Sequence, residues 1–148
     1  MSWYPHTTVA TIVEQNGLFL MVEEKDQGQT VFNQPAGHLD EGESLQAAAI
    51  RETIEETAWE VELESFLGTY QYLAPNNGCT YIRHCFIALP LRHHAGRMLD
   101  QDITAAHWLS PATILAPDFK ARSPIVQKVL LDYLAGQRWP LSVLYHHE

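Results

Sequence analysis

Cysteine is nearly absent: Cys79 and Cys85 are the only two in 148 residues, too few to staple a small scaffold. Both flank or lie in an apparent strand, so they read as reduced core thiols rather than as a disulfide or a nucleophile. Basic side chains are scarce as well, 9 Lys and Arg against 18 Asp and Glu, for a formal net charge of −9. That deficit argues against non-specific binding to nucleic acid or to an anionic membrane surface. No apolar run approaches the roughly 20 residues of a membrane span. Met1 to Thr8 lacks a basic start followed by an apolar stretch, which makes the cytoplasm the expected location. Repeats, low-complexity tracts and linkers are missing too. What remains is 46% hydrophobic and 18% charged, the composition of a single domain over residues 1–148, large enough to bury a core and acting as a monomer or homodimer.

Most of the chemical information lies between Gly37 and Trp59, GHLDEGESLQAAAIRETIEETAW. An acidic, turn-rich loop from Gly37 to Gly42 gives way to good helix formers without interior Gly or Pro, with Ser44 as the expected N-cap. In a helix Glu52 and Glu56 stand one turn apart and Glu55 lies beside them, so these carboxylates share a side. Ala47, Ile50, Ile54 and Thr57 are expected to face a core on the opposite side. Leu45, Ala48 and Ala49 are expected to bury the N-terminal half of the glutamate side. An acidic helix face is commonly just solvated. Here like charges crowd at three- and four-residue spacing with Arg51 the one cation in reach, a repulsion that a divalent cation relieves. Oxygen-only ligands select hard Mg²⁺, or Mn²⁺, over Zn²⁺.

Around this stretch, Thr8–Val13 and Leu18–Val22 read as hairpin strands joined by Gln15-Asn16-Gly17. Glu23 and Glu24 close the second strand as solvated charges or as an extra acidic group near a site, and Lys25–Thr30 is expected as a polar loop. Pro35 stops ladder pairing and Gly37 permits a close backbone approach. Val61–Leu73 and Thr80–Leu91 are expected as long antiparallel strands. On them Tyr70, Tyr72 and Tyr81 either pack the sheet or stack a planar ring, and Arg83 is a candidate phosphate contact. His38, in a loop, is a local hydrogen-bonding residue or a phosphate contact; adjacent His93 and His94 fit a polar loop better than a metal site. Asp102 precedes a short strand, Ala105–Leu109. Ser110-Pro111 and Ser123-Pro124 each open a helix, the second with Ile125, Val129, Leu130 and Leu134 on its apolar side. Arg122, at that helix start, is either structural or a phosphate receiver.

The run Gly37, then Glu43, then Arg51-Glu52-Thr53-Ile54-Glu55-Glu56-Thr57-Ala58-Trp59 resembles the Nudix box of the Nudix hydrolases, which cleave nucleoside diphosphates linked to another group. Thr53 stands where an aliphatic residue is usual and Ala58 where glycine is usual; if that position is left-handed, Ala58 costs about 1 kcal/mol. The resemblance implies an α/β/α sandwich with a mixed β-sheet and a catalytic set of Glu43, Arg51, Glu55 and Glu56. It implies metal held by Glu52, Glu55, Glu56 and the Gly37 carbonyl, with Arg51 orienting a glutamate and Glu43 bracing the loop-to-helix junction. For Asp102 a catalytic role is implied only by the resemblance, since some Nudix hydrolases use an acidic residue before such a strand. Asn33-Gln34-Pro35-Ala36-Gly37-His38-Leu39, Arg122-Ser123-Pro124, Gly136-Gln137-Arg138 and Pro140-Leu141 are similar to a bacterial phosphatase branch of the family. Gln34, His38, Arg83 and Arg122 are the residues expected beside the substrate. The similarity implies small phosphorylated substrates: nucleoside di- and triphosphates, thiamine pyrimidine pyrophosphate or thiamine pyrophosphate. The rival reading is a Nudix-fold nucleotide-binding or sensor module without turnover.

Overall fold

The computed structural model describes residues 2–148. Strand β1 (His6–Gln15) turns into β2 (Leu18–Asp26) through Asn16 and Gly17, both at positive φ, 54° and 79°. This geometry matches the twist of a tight hairpin. The two strands remain paired only at Glu14–Phe19 and Gln15–Leu18. Beyond that they part. β1 continues against β6 (Thr80–His93) in parallel and against the short β4 (Ala36–His38) antiparallel. β2 continues against β3 (Gln29–Asn33) and β7 (Ile103–Leu109), while β5 (Trp59–Leu73) completes the far edge on β6. The result is a mixed seven-stranded sheet that splits between β1 and β2.

The chain crosses that split from β3 to β4 at Gln34-Pro35. Proline suits the crossing because it has no N–H to leave unpaired, and its carbonyl accepts from the Thr11 N–H at 3.1 Å. The expected loop at Lys25–Thr30 is instead the end of a second hairpin, with Gln27 and Gly28 at φ 52° and 79°. A two-residue turn leaves Lys25 paired with Thr30, Nζ donating to Oγ1 at 2.8 Å. The polar letters there belong to solvated strand ends rather than to a loop.

Neighbouring residues on each central strand go to opposite faces, as a pleated strand requires. Val9, Phe66 and Phe86 pack with Ala48 and Ala49 of α1 (Leu45–Thr57). Ala10, Leu67, Cys85 and Ile87 pack with Val126, Val129 and Leu130 of α3 (Pro124–Leu134). The fold is therefore an α/β/α sandwich, with the short α2 (Pro111–Ile114) capped by Ser110 after β7. Cys85 is buried in this core, its thiol pushed up to about 12 by burial, and both cysteines are free. Among the described residues no helix is long and apolar enough to cross a membrane.

The buried face of α1 differs from the one its hydropathy suggests. Ala48, Ala49 and Thr57 are buried as expected, but Ala47 and Ile50 are exposed and Thr53 is buried. Thr53 tolerates full burial because its hydroxyl bonds to the Ala49 carbonyl and to Thr11 Oγ1, each at 2.7 Å, and a satisfied hydroxyl costs little inside. Turned this way, the helix carries Glu52 and Glu56 inward, toward the split. On α3 a similar small rotation buries Val126 and leaves Leu134 about half exposed.

Candidate active site

α1 starts where Ser44 Oγ accepts the Ala47 N–H at 3.1 Å. It ends at Ala58, which is left-handed (φ 64°, ψ 14°) with its N–H on the Ile54 carbonyl. A glycine would adopt this without strain; alanine does so at a cost of about 1 kcal/mol. Trp59 can then leave directly as β5.

Arg51 is the hub of the acidic side. Its Nε and Nη2 donate to the two oxygens of Glu43 at 2.7 and 3.0 Å, and Nη1 donates to Glu52 Oε1 at 2.8 Å and Glu55 Oε1 at 3.0 Å. Nη2 also reaches the His38 carbonyl at 3.1 Å, tying the helix to the loop that precedes it. The Arg51 hydrogen bonds hold Glu43 below the usual carboxylate range, and Glu43 in turn raises Arg51. Glu52 is raised by burial, against the pull of Arg51.

Glu56 lies deeper. Its Oε1 accepts the Ala36 N–H at 2.9 Å, yet burial, with Glu24, Glu52 and Asp100 adding repulsion, pushes its carboxyl up to about 8. Gly37 is what lets β4 approach: a Cβ there would collide with all three atoms of the Glu52 carboxylate.

The structure assembles a carboxylate cluster different from the one helix spacing suggests. Glu52, Glu55 and Asp100 each bring an oxygen within 4.8 Å of the others. Glu56 stands beside this trio, one step inward against β4. Asp100 carried no signal of its own in the sequence. It arrives because the segment after β6 folds back on the end of α1, His94 N–H to the Ala58 carbonyl at 2.9 Å and Asp100 N–H to the Glu55 carbonyl at 3.0 Å. Carboxylate oxygens alone are a donor set for a hard divalent cation, so the residues present fit the metal that Nudix enzymes use. The histidines before Asp100 are committed elsewhere: His93 packs at a tilt against Trp59, and His94 Nε2 lies 3.1 Å from Glu60 Oε1.

Opposite the acidic side, across a cavity of about 740 Å³, β2, β3 and β6 supply the other wall. Arg83 donates from Nη1 to Gln34 Oε1 at 3.1 Å and from Nη2 to Asn33 Oδ1 at 3.0 Å. Both partners are neutral amides, and no carboxylate lies within ion-pair distance of it among the described residues. Burial lowers its pKa, with no carboxylate bonded to it in compensation. Such a cation keeps its charge available for an anion in the cavity.

Gln34, expected beside the substrate, is 1% exposed and is not part of the cavity lining. Its Nε2 donates to the Val126 carbonyl at 2.8 Å, so its amide braces Arg83 from behind. Arg122 does line the cavity, with Nη1 3.0 Å from Glu24 Oε1. His38 lines it as well, its Nε2 3.3 Å from His6 Nδ1, and burial followed by the His6 charge lowers its pKa. Tyr70, Tyr72 and Tyr81 all border the cavity: Tyr70 is buried against the α3 core with its hydroxyl donating to Asp132 Oδ2 at 2.8 Å, and the Tyr81 hydroxyl accepts from Asn77 Nδ2 at 3.0 Å. Asp102 is an exposed part of the lining. Glu24, expected as a solvated strand end or as an extra acidic group near a site, takes the second place: it is 6% exposed and borders the cavity.

Comparison with known proteins agrees with this geometry. The phosphatase NudJ of Escherichia coli is 37% identical over 145 residues, covering 95% of this chain and 90% of NudJ, and NudJ of Shigella flexneri matches equally. A solved NUDIX hydrolase from Nitrosomonas europaea superposes with a TM-score of 0.94 at 39% identity, covering 97% of this chain and 98% of that one. The Escherichia coli ORF135 protein, 22% identical with a TM-score of 0.67 over 88% of this chain and 89% of its own, shares the fold. Since the NUDIX domain family model also matches residues 4–129, the chain belongs to the Nudix family and is a hydrolase acting on phosphorus-containing anhydrides.

Proposed function

We propose that this protein is a Mg²⁺-dependent phosphatase, with Mn²⁺ as a substitute, of small phosphoanhydrides. The substrates are nucleoside di- and triphosphates, thiamine pyrimidine pyrophosphate or thiamine pyrophosphate. The observation that carries this reading is that Glu52 and Asp100 of a carboxylate cluster, together with an arginine without a carboxylate partner, line one cavity. A phosphoanhydride needs both, since its own charge would repel a purely acidic site.

Glu52, Glu55 and Asp100 would hold the cation, with Glu56 and the Gly37 carbonyl adjoining. Such an ion neutralises phosphate charge and polarises the bond under attack. Arg83, fixed by Asn33 and Gln34, binds a phosphate oxygen, and Arg122 a second. Arg51 holds Glu52 and Glu55 in register from Glu43, which acts as the brace. Glu56, with one oxygen anchored on Ala36 and a titration point near 8, is placed to take a proton from the attacking water. Asp102 is the alternative acceptor.

The test is phosphate release across nucleotides and thiamine pyrophosphates with and without Mg²⁺ or Mn²⁺. Turnover that depends on the cation supports the reading. Binding of these compounds with no turnover of any would make the protein a sensor module.

A further inference from the structure

Of the cavity acids for which the reaction above has no use, Glu24 is the buried one. It is 6% exposed, it borders the cavity, and its Oε1 is buried without a hydrogen-bond donor. Arg122 Nη1 lies 3.0 Å from that oxygen but off the line a hydrogen bond requires, so the pair is an ionic contact only. A buried carboxylate oxygen left without a donor is costly. Native structures keep such a group where something else comes to satisfy it.

Its surroundings indicate what that is. In the β2–β3 ladder Val22 pairs with Asn33 and Glu24 with Val31, which puts Glu24 and Asn33 on one face as diagonal neighbours roughly 7 Å apart. Asn33 Oδ1 is already taken by Arg83, and its NH₂ has no protein acceptor among the described residues. One wall of the cavity thus offers an acceptor, Glu24, beside a donor, the Asn33 amide. The phosphate-binding cation Arg83 is bonded to that same amide. A second phosphate does not fit this place, because Glu24 would repel it. An exocyclic amine next to a ring nitrogen does fit: the amine donates to the carboxylate and the ring nitrogen accepts from the amide.

We propose that Glu24, assisted by Asn33, is a specificity-determining residue that selects phosphoanhydrides whose organic group carries a 4-aminopyrimidine edge close to the phosphate. The inference rests on the hydrolase reading above, and its test separates the two. Phosphate release is measured for thiamine pyrimidine pyrophosphate and for its 4-oxo counterpart, in which the amine is replaced by oxygen and the adjacent ring nitrogen becomes a donor. The wild-type protein is expected to favour the amino compound by about 10- to 100-fold in kcat/KM, the size of one charge-assisted hydrogen bond. In Glu24→Gln, whose amide can either donate or accept, that ratio falls at least severalfold, with the change in KM.

Equal turnover of the two compounds by the wild type overturns the inference while leaving the hydrolase reading intact, and needs no variant to fold. Equal loss on both compounds in Glu24→Gln, reproduced by Arg122→Gln, also overturns it, by showing that Glu24 only anchors Arg122. No turnover of any phosphoanhydride by the wild type is the separate failure of the hydrolase reading.

Discussion

The two walls of the cavity are built by different means. On the helical wall Arg51 engages Glu43, Glu52 and Glu55, all within one short stretch of chain and none more than 8 residues away. On the strand wall Arg83 is held by residues 49 and 50 positions away, and Arg122 meets Glu24 from a far more distant part of the chain. The first wall gathers negative charge around a single cation and is short of positive charge. The second spends neutral amides on Arg83 and leaves its charge unanswered. A helix can crowd like charges because the backbone holds them there whatever the repulsion. Strands bring together only what the sheet order permits.

The comparison predicts where each wall breaks. Glu56→Gln is expected to lower kcat by about two orders of magnitude, the usual loss on removing one preorganised electrostatic group; wild-type turnover would remove Glu56 from the reaction. On the opposite wall Arg83→Gln should lower kcat/KM by about 10- to 100-fold, the value of charge-assisted phosphate hydrogen bonds. If substrate affinity were unchanged, the phosphate would not sit at that wall.

Arg51→Ala tests how far the helical wall depends on its hub. Without metal it should cost about 2 kcal/mol in denaturant unfolding, since carboxylates bonded to Arg51 lose their partner. Added Mg²⁺ should recover part of the loss, and a loss insensitive to Mg²⁺ would detach this network from the cation site.

A pH series sharpens the point. Glu56 has its folded pKa near 8, raised from an ordinary 4.5, so the folded state binds its proton more tightly than the unfolded one. Its stabilising contribution is whole below pH 4.5 and is lost as pH rises toward 8. The metal-free protein should therefore lose thermal stability across that window, whereas Mg²⁺ uptake, which needs the carboxylate ionised, should strengthen. A flat metal-free profile between those limits would show that Glu56 ionises freely. The smallest effect is at Ala58→Gly, which relieves the left-handed alanine and should raise Tm by about 3 °C. No gain would mean that the unstrained glycine is offset by its extra freedom in the unfolded chain.

Much of the helical wall was legible because its information is local. The N-cap at Ser44 follows from capping chemistry, the shared side of Glu52, Glu55 and Glu56 and the alternation of the strands follow from periods of 3.6 and 2, and the departure at Ala58 shows in the resemblance to the Nudix box. The orientation of α1 was harder to read, since Ala47 and Ile50 look like core and Thr53 does not. The Thr11 hydroxyl across the interface, with the Ala49 carbonyl of the same helix, lets Thr53 be the buried one. Gln34 looked like a substrate contact and became a brace for the same kind of reason, a partner at Val126 that the primary structure does not place beside it.

By itself the sequence determined that an acid-rich helix would carry its carboxylates on one side, because backbone geometry repeats along any helix regardless of what surrounds it. Tertiary structure alone decided that Asp100 would join Glu52 and Glu55, that Arg83 would keep neutral company, and that Glu24 would be buried at the cavity. Those outcomes depend on which strands neighbour one another and where a returning loop lands, and such distances are settled by packing of the whole chain rather than by spacing along it.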